Sequence, residues 1–173
     1  GVALTRLPWL LLCLLGSVLA GIVIHMFEVT LKEAITLAVF IPVIMATGGT
    51  SGLQSATVTV RSLVTGHISS GLILRTVFRE MGSAALIGLV CGLVATGLAW
   101  FWIGNALVGA CVGIAMFIVI SISVLLGVVA PLLFQRFGID PAVASGPFIT
   151  TTNDILGLAI YLGLATMLVQ RLP

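Results

Sequence analysis

The chain alternates between long apolar segments and short polar stretches. Each of the five apolar segments reaches or exceeds the roughly 20 residues that a helix needs to cross a membrane. They cover residues 8–27, 34–64, 81–102, 106–134 and 141–169. Apolar runs of this length are typical of transmembrane helices, so the pattern predicts an all-α membrane protein with five spans.

The second apolar segment is too long for one straight span. It contains Pro42 and the run Gly48-Gly49-Thr50-Ser51-Gly52. Proline removes a backbone donor and glycine is flexible, so we expect a helix that is broken or kinked at this glycine-rich run. Any carbonyl freed at membrane depth would have to line a cavity or be buried in protein.

The composition supports a membrane location and excludes several other classes. Of 173 residues, 60% are hydrophobic and 7% are charged, whereas a soluble domain carries roughly 25% charged residues. Seven Lys and Arg against five Asp and Glu cannot form a basic surface for nucleic acid. The length leaves room for five or six helices. We therefore expect one lipid-embedded transmembrane domain over residues 1–173, with no soluble regulatory domain.

Positive charges near the span ends predict the orientation. Five arginines fall on one side of the predicted membrane and two basic residues on the other. The first group is Arg6, Arg61, Arg75, Arg79 and Arg136, and the second is Lys32 and Arg171. By the positive-inside rule, the N-terminus is cytoplasmic and the C-terminus lies outside a plasma (inner) membrane, which requires an odd number of spans.

Asp154 is the charged residue that lies away from the ends of the predicted spans. It lies near the middle of the fifth apolar segment, within Thr150-Thr151-Thr152-Asn153-Asp154. A charge at this depth costs at least about 2.5–3.5 kcal/mol and persists where it faces a bundle interior or a water-filled path. One interpretation is a protonated carboxyl bonded to a neighbouring helix. The other is a cation site.

The second segment supplies oxygen atoms that such a cation site would use. Thr50, Ser51, Gln54 and Ser55 carry hydroxyl or amide oxygens next to the glycine-rich run. Carboxylate, carbonyl and water ligands suit Mg²⁺, Ca²⁺ or Mn²⁺. Mg²⁺ keeps much of its water and is held by one or two carboxylates, so one aspartate per chain fits it, especially in a dimer. Two facing carboxylates would repel each other unless a cation lay between them.

Two stretches of the chain resemble the second and fifth membrane helices of the MgtE family of magnesium channels and transporters. The first is Pro42-Val43-Ile44-Met45-Ala46-Thr47-Gly48-Gly49-Thr50-Ser51-Gly52-Leu53-Gln54-Ser55-Ala56-Thr57, followed by Arg61. The second comprises Gly138-Ile139-Asp140-Pro141-Ala142, Ser145-Gly146-Pro147, Asn153-Asp154 and Gly157. The resemblance extends over essentially the whole chain. Thr50, Leu53 and Gly146 depart from it, because the family typically has Asn at these positions.

The resemblance implies a homodimer that passes hydrated Mg²⁺ down its electrochemical gradient, without enzymatic activity. Its pore would be lined by the second and fifth helices, with the ion near Asp154 and backbone oxygens near Gly48, Gly49 and Thr150 as further ligands. Other residues expected to line the pore are Thr50, Ser51, Gly52, Gln54, Ser55, Asn153 and Gly146.

Two other functions compete with transport. An intramembrane protease would use Ser51 within Gly49-Thr50-Ser51-Gly52, but it needs a histidine within reach, and His25 and His67 are placed near the membrane edges. A non-transporting structural subunit would tolerate the loss of the Asp154 charge. A channel would lose ion flux on the same change.

Overall fold

A computed structural model describes residues 2–33, 35–66 and 73–169. The described residues form helices and short connections, without strands. The helices are α1 (Val2–Met26), α2 (Glu28–Glu33), a 3₁₀ helix (Ile35–Phe40), α3 (Ile41–Val64), α4 (Ile73–Ile103), α5 (Ala106–Arg136) and α6 (Pro141–Val169). Five stretches are long and apolar enough to cross a membrane, which confirms the all-α, five-span prediction.

The short connections make consecutive long helices antiparallel. Gly104 has φ +77° after α4, and Gly138 has φ +72° after α5, a left-handed conformation that glycine adopts without a steric penalty. The Asn105 side chain then accepts hydrogen bonds from the backbone N–H groups of Leu107 (2.9 Å) and Val108 (3.4 Å) and caps α5. The next helix starts in the same way, because Asp140 Oδ1 accepts from Ala142 N at 2.9 Å.

Helix α5 is the centre of the bundle and packs against α3, α4 and α6, while α1 packs on the outer side of α6. Small residues allow the close approach. A Cβ on Gly92 would lie 2.8 Å from the Gly113 carbonyl oxygen, and one on Gly109 would lie 2.7 Å from the Thr96 carbonyl oxygen. Such spacing marks a packing face in membrane helices.

The boundary of one predicted span is wrong. Helix α4 begins at Ile73, well before the predicted start at residue 81, so Arg75, Arg79 and Glu80 are helical. The charged first turns continue the helix because the arginine side chains can extend outward while Glu80 turns toward α3. Its carboxylate accepts a hydrogen bond from Ser55 Oγ at 3.1 Å.

The second span changes its helix type next to Pro42 and not within the glycine-rich run. The backbone changes from the 3₁₀ helix to α3 at Phe40–Ile41, with Pro42 in the first turn of α3, where its missing N–H is tolerated. The glycine-rich run 48–52 lies inside continuous α-helix, so the helix is not broken there, and the kink expected as the alternative stays a prediction. Ala34, His67 and Arg171 lie outside the described residues, as does the Arg6 side chain, and the orientation also stays a prediction.

Candidate functional site

Asp154 lies near the midpoint of α6 and is half-buried. Gly146 and Thr150 precede it at intervals of four residues, so the three form one slanted row along the helix surface. The Thr150 hydroxyl donates to the carbonyls of Gly146 and Pro147, both at 3.1 Å. Its oxygen lone pairs therefore stay available to a water molecule or an ion.

Helix α3 carries a row of its own beside α6, where Leu53 Cδ2 would lie 3.8 Å from a Cβ on Gly146. Ala46 and Thr50 are exposed, and the Thr50 hydroxyl donates to the Ala46 carbonyl at 2.7 Å. One turn further, Leu53 and Thr57 face a crevice between α3 and α6. We call this α3–α6 surface, from Ala46 and Thr50 to Thr150 and Asp154, the seam.

The crevice extends the seam toward Arg61 and the start of α6. It has a volume of about 550 Å³, and its polar lining comprises Thr57, Arg61 and Ser145. The Ser145 hydroxyl is buried and has no hydrogen-bond partner among the described residues. Gly146 contributes to the wall of the crevice and also begins the row that leads to Asp154. The crevice therefore lies at the Arg61 end of the seam, and Gly146 links it to the row of residues that contains Asp154.

Asn153 lies behind the seam, in the interior of the chain. It is 2% exposed, accepts a hydrogen bond from Ser123 Oγ and donates from Nδ2 to the Met45 carbonyl at 3.1 Å. This one amide joins α3, α5 and α6 and occupies the position next to Asp154. The structure therefore does not place Asn153 with the surface residues of the expected pore. Ser123, a polar residue in the most apolar helix, completes this network and was missed by the sequence argument.

Gly48 and Gly52 also face the interior. A Cβ on Gly48 would lie 2.6 Å from Val119 Cγ1 and 2.7 Å from Asn153 Oδ1, and one on Gly52 would lie 2.8 Å from the Ser123 carbonyl oxygen. These glycines let α3 approach α5 and α6. Gly49 is buried next to the Asn153 amide, and all three glycines belong to intact α-helix. Their carbonyls are thus not freed by unwinding.

The remaining polar residues of α3 separate into two groups. Thr50 belongs to the seam, whereas Ser51 and Ser55 are buried on another side of the helix. Ser51 donates to the Thr47 carbonyl at 2.8 Å and Ser55 to Glu80. Together with the exposed Gln54, they line a separate small cavity between α3 and α4. The structure therefore places Leu53 of α3 against Gly146, which begins the row containing Thr150 and Asp154, and directs Ser51 and Ser55 to another cavity.

Charge is scarce around Asp154. The ion pairs among the described residues lie near helix ends, where Glu28 contacts His25 and Lys32, and Arg79 contacts Glu80. No group of three His, Cys, Asp or Glu side chains that could hold a metal occurs in the described part of the chain. One copy therefore offers a cation a single carboxylate and neutral oxygens, a donor set that suits an ion retaining its own water.

The serine expected for a protease has a different environment. Ser51 donates to a backbone carbonyl of its own helix. His25 is exposed in the last turn of α1, where its Nδ1 lies 3.4 Å from Glu28 Oε2. Within the described ranges, the structure does not bring these two residues together as a nucleophile and base.

Comparisons with known proteins agree with one another. A family model described as MgtE, divalent cation transporter, matches residues 41–164. The chain is 39% identical over 170 residues to a magnesium transporter MgtE of Bacillus subtilis (strain 168), covering 98% of this chain and 38% of the relative. Proteins of the same name from Thermus thermophilus and Enterococcus faecalis are 34% and 36% identical, over 96% and 95% of this chain. The chain spans less than two fifths of the length of these relatives.

Proposed function

Because the chain belongs to the MgtE family of divalent cation transporters, we propose that it forms a passive path for Mg²⁺ across the membrane. The path runs along the seam between α3 and α6, and Asp154 is its central ion-binding group. Two copies enclose it, each contributing one seam.

The main support for this proposal is the position of Asp154, which is half-buried near the middle of α6. A carboxylate facing hydrocarbon is costly, so charged residues at this depth face protein or water. Within one chain Asp154 is partly exposed, and a crevice of about 550 Å³ lies between α3 and α6 toward one end of the bundle. A second copy placed against the seam would shield Asp154 from lipid and convert the seam into an enclosed route.

The donor set favours a hydrated, oxygen-seeking cation. Asp154 supplies negative charge, while the Thr50 and Thr150 hydroxyls, which donate to their own helices, present lone pairs. Such groups hold the water molecules of an ion more readily than they replace them, as the reluctant dehydration of Mg²⁺ requires. Two Asp154 carboxylates facing each other would repel, and a divalent ion between them would relieve that repulsion.

The buried glycines and Asn153 support the seam from behind. Gly48 and Gly52 allow α3 to approach α5 and α6, and the Asn153 amide joins the three helices through Ser123 and the Met45 carbonyl. We assign them to positioning α3 against Asp154, and the backbone oxygens of Gly48 and Gly49 remain secondary candidates as ligands. The predicted orientation, with a cytoplasmic N-terminus in a plasma membrane, places the crevice on the cytoplasmic side.

Ion uptake into liposomes tests the proposal. The purified full chain, reconstituted with an Mg²⁺-sensitive dye inside, should admit Mg²⁺ when an inside-negative potential is imposed without ATP. Asp154→Ala and Asp154→Asn should reduce the initial rate at least tenfold. Asp140→Asn makes the same chemical change at the exposed start of α6, where Asn also caps a helix, and should keep the wild-type rate.

Three results would contradict the proposal. Equal uptake by wild type and folded Asp154 variants would remove Asp154 from the path, as expected of a structural subunit. Uptake that needs ATP would contradict passive transport. Single-copy particles with full activity, identified by subunit counting in the same liposomes, would contradict the paired seams.

A further inference from the structure

A second polar cavity lies between α3 and α4, away from the seam. It has a volume of about 100 Å³, and Val124 of α5 contributes to its wall. Its polar lining consists of Ser51, Gln54 and Ser55 from α3 and Glu80 and Ser83 from α4. None of these residues lines the seam crevice, so the two spaces are separate.

Glu80 brings a carboxylate into this cavity without a strong cationic partner. Its side chain is 16% exposed, and it accepts a hydrogen bond from the buried Ser55 hydroxyl at 3.1 Å. Arg79 Nη2 lies 3.9 Å from Glu80 Oε1, but the Arg79 side chain is 68% exposed. The 3.9 Å separation is near the limit for an ion pair, and water around the mostly exposed Arg79 weakens its attraction for the carboxylate. The shielded carboxylate, inside a segment apolar enough to span the membrane, therefore retains most of its need for a counter-charge.

The cavity presents oxygen acceptors around this carboxylate. Ser51 and Ser83 donate to the backbone carbonyls of Thr47 and Arg79, at 2.8 and 3.3 Å, and Ser55 donates to Glu80 itself. Because each hydroxyl proton is already used, the oxygen lone pairs are left for a ligand. The Gln54 amide can add a further oxygen. This donor set fits a hard cation and offers nothing that favours a soft metal.

The ligands at the cavity narrow the class of cation. One carboxylate balances one positive charge, and the five oxygen-bearing side chains that line the cavity, Glu80 among them, can replace the water around an ion. Mg²⁺ gives up its water reluctantly, so direct coordination of this kind suits a monovalent ion better. We infer that the cavity between α3 and α4 binds one small monovalent cation, such as Na⁺, through Glu80 and the surrounding hydroxyls. This site is independent of the proposed transport route.

Thermal unfolding tests the site without measuring transport. The full chain carrying Asp154→Asn, which removes the seam carboxylate, is unfolded in detergent with N-methylglucamine replacing Na⁺ at constant ionic strength. Added Na⁺ should raise the unfolding midpoint by several degrees and then saturate, as expected for a ligand of the folded state. Adding Glu80→Gln to the Asp154→Asn chain should abolish the Na⁺-dependent rise of the unfolding midpoint. Adding Glu28→Gln, a matched change at an exposed ion pair, should leave it intact.

A milder variant keeps the test decisive if Glu80→Gln does not fold. Ser83→Ala removes one hydroxyl from the exposed side of the cavity and should shift the half-saturating Na⁺ concentration several-fold upward. A midpoint that does not respond to Na⁺, or a response that persists in Glu80→Gln, would overturn the site. A Glu80-dependent response to Mg²⁺ but not to Na⁺ would overturn the assigned cation class. Wild-type Mg²⁺ uptake by Asp154→Asn, together with the Na⁺ response, would refute the transport route and leave this site standing.

Discussion

Substitution of Gly127 by alanine tests the packing that brings α3 to the seam. An alanine Cβ at this position would overlap the Gly52 carbonyl oxygen and lie 2.9 Å from Ser55 Cβ and 3.0 Å from Ala56 N. The obstacle is mostly the backbone of α3, which cannot rotate away as a side chain can. Helix α3 must therefore move away from α5, and the hydrogen bond from Asn153 on α6 to the Met45 carbonyl on α3 must lengthen or break.

The expected cost follows from overpacking and the lost polar contact. An extra methyl group in a well-packed interior costs typically 1–3 kcal/mol, and an interhelical hydrogen bond in a membrane protein averages about 0.6 kcal/mol. The Gly→Ala change also improves helix propensity by about 1 kcal/mol, which offsets part of this. Together these contributions predict that Gly127→Ala lowers the unfolding free energy by about 0.5–2.5 kcal/mol.

Two other glycines provide matched controls for the same change. Gly97 faces open space, with nothing within 4 Å of an added Cβ, so Gly97→Ala should be neutral or slightly stabilising. Gly157 faces the flexible end of Met45, whose Cε would lie 2.9 Å from the new Cβ, so its cost should be intermediate. Reversible unfolding in mixed micelles by titrated SDS measures all three. Equal stability of the Gly127 and Gly97 variants would refute the packing argument.

Three further predictions concern single side chains and topology. Tyr161→Phe removes the hydrogen bond that the buried hydroxyl donates to the Leu37 carbonyl at 2.7 Å, and should lower the unfolding free energy by about 1–2 kcal/mol; an unchanged SDS midpoint would contradict it. Ser145→Ala removes a buried hydroxyl without a described partner and should raise that free energy by up to about 1 kcal/mol in the same titration. In a cysteine-free background, Arg136→Cys should react with a membrane-impermeant maleimide from the cytoplasmic side and Glu28→Cys from outside; labelling of both from one side would contradict five spans.

The number and order of the spans could be predicted from the sequence because apolar length is a local property. A helix that crosses hydrocarbon satisfies its backbone hydrogen bonds internally, so each apolar segment specifies its own structure. Because this prediction relies on local apolarity, it placed the start of α4 too late. Arg75, Arg79 and Glu80 precede the predicted third span, whereas in the structure they extend the helix, and Glu80 turns toward Ser55 on α3.

The glycine-rich run shows how one pattern permits two structures. Gly48 and Gly52 are compatible with an unwound segment and also with a close helix contact, since both need a missing side chain. The neighbouring helix α5 decides between the unwound segment and the close contact. Val119 and Ser123 of α5 approach α3 so closely that only glycine fits, and the helix remains continuous.

The sequence by itself determined that this is a five-span α-helical membrane protein with one aspartate at mid-span, because span length, composition and the position of Asp154 are read along the chain. Its resemblance to the MgtE family came from two motif stretches, which are also read along the chain. Only the tertiary structure decided which polar residues share a surface with that aspartate. Thr50 and Thr150 lie along the seam with it, whereas its neighbour Asn153 turns inward to Ser123. The physical reason is that successive residues of a helix point about 100° apart, so the direction of each side chain depends on how the helices pack.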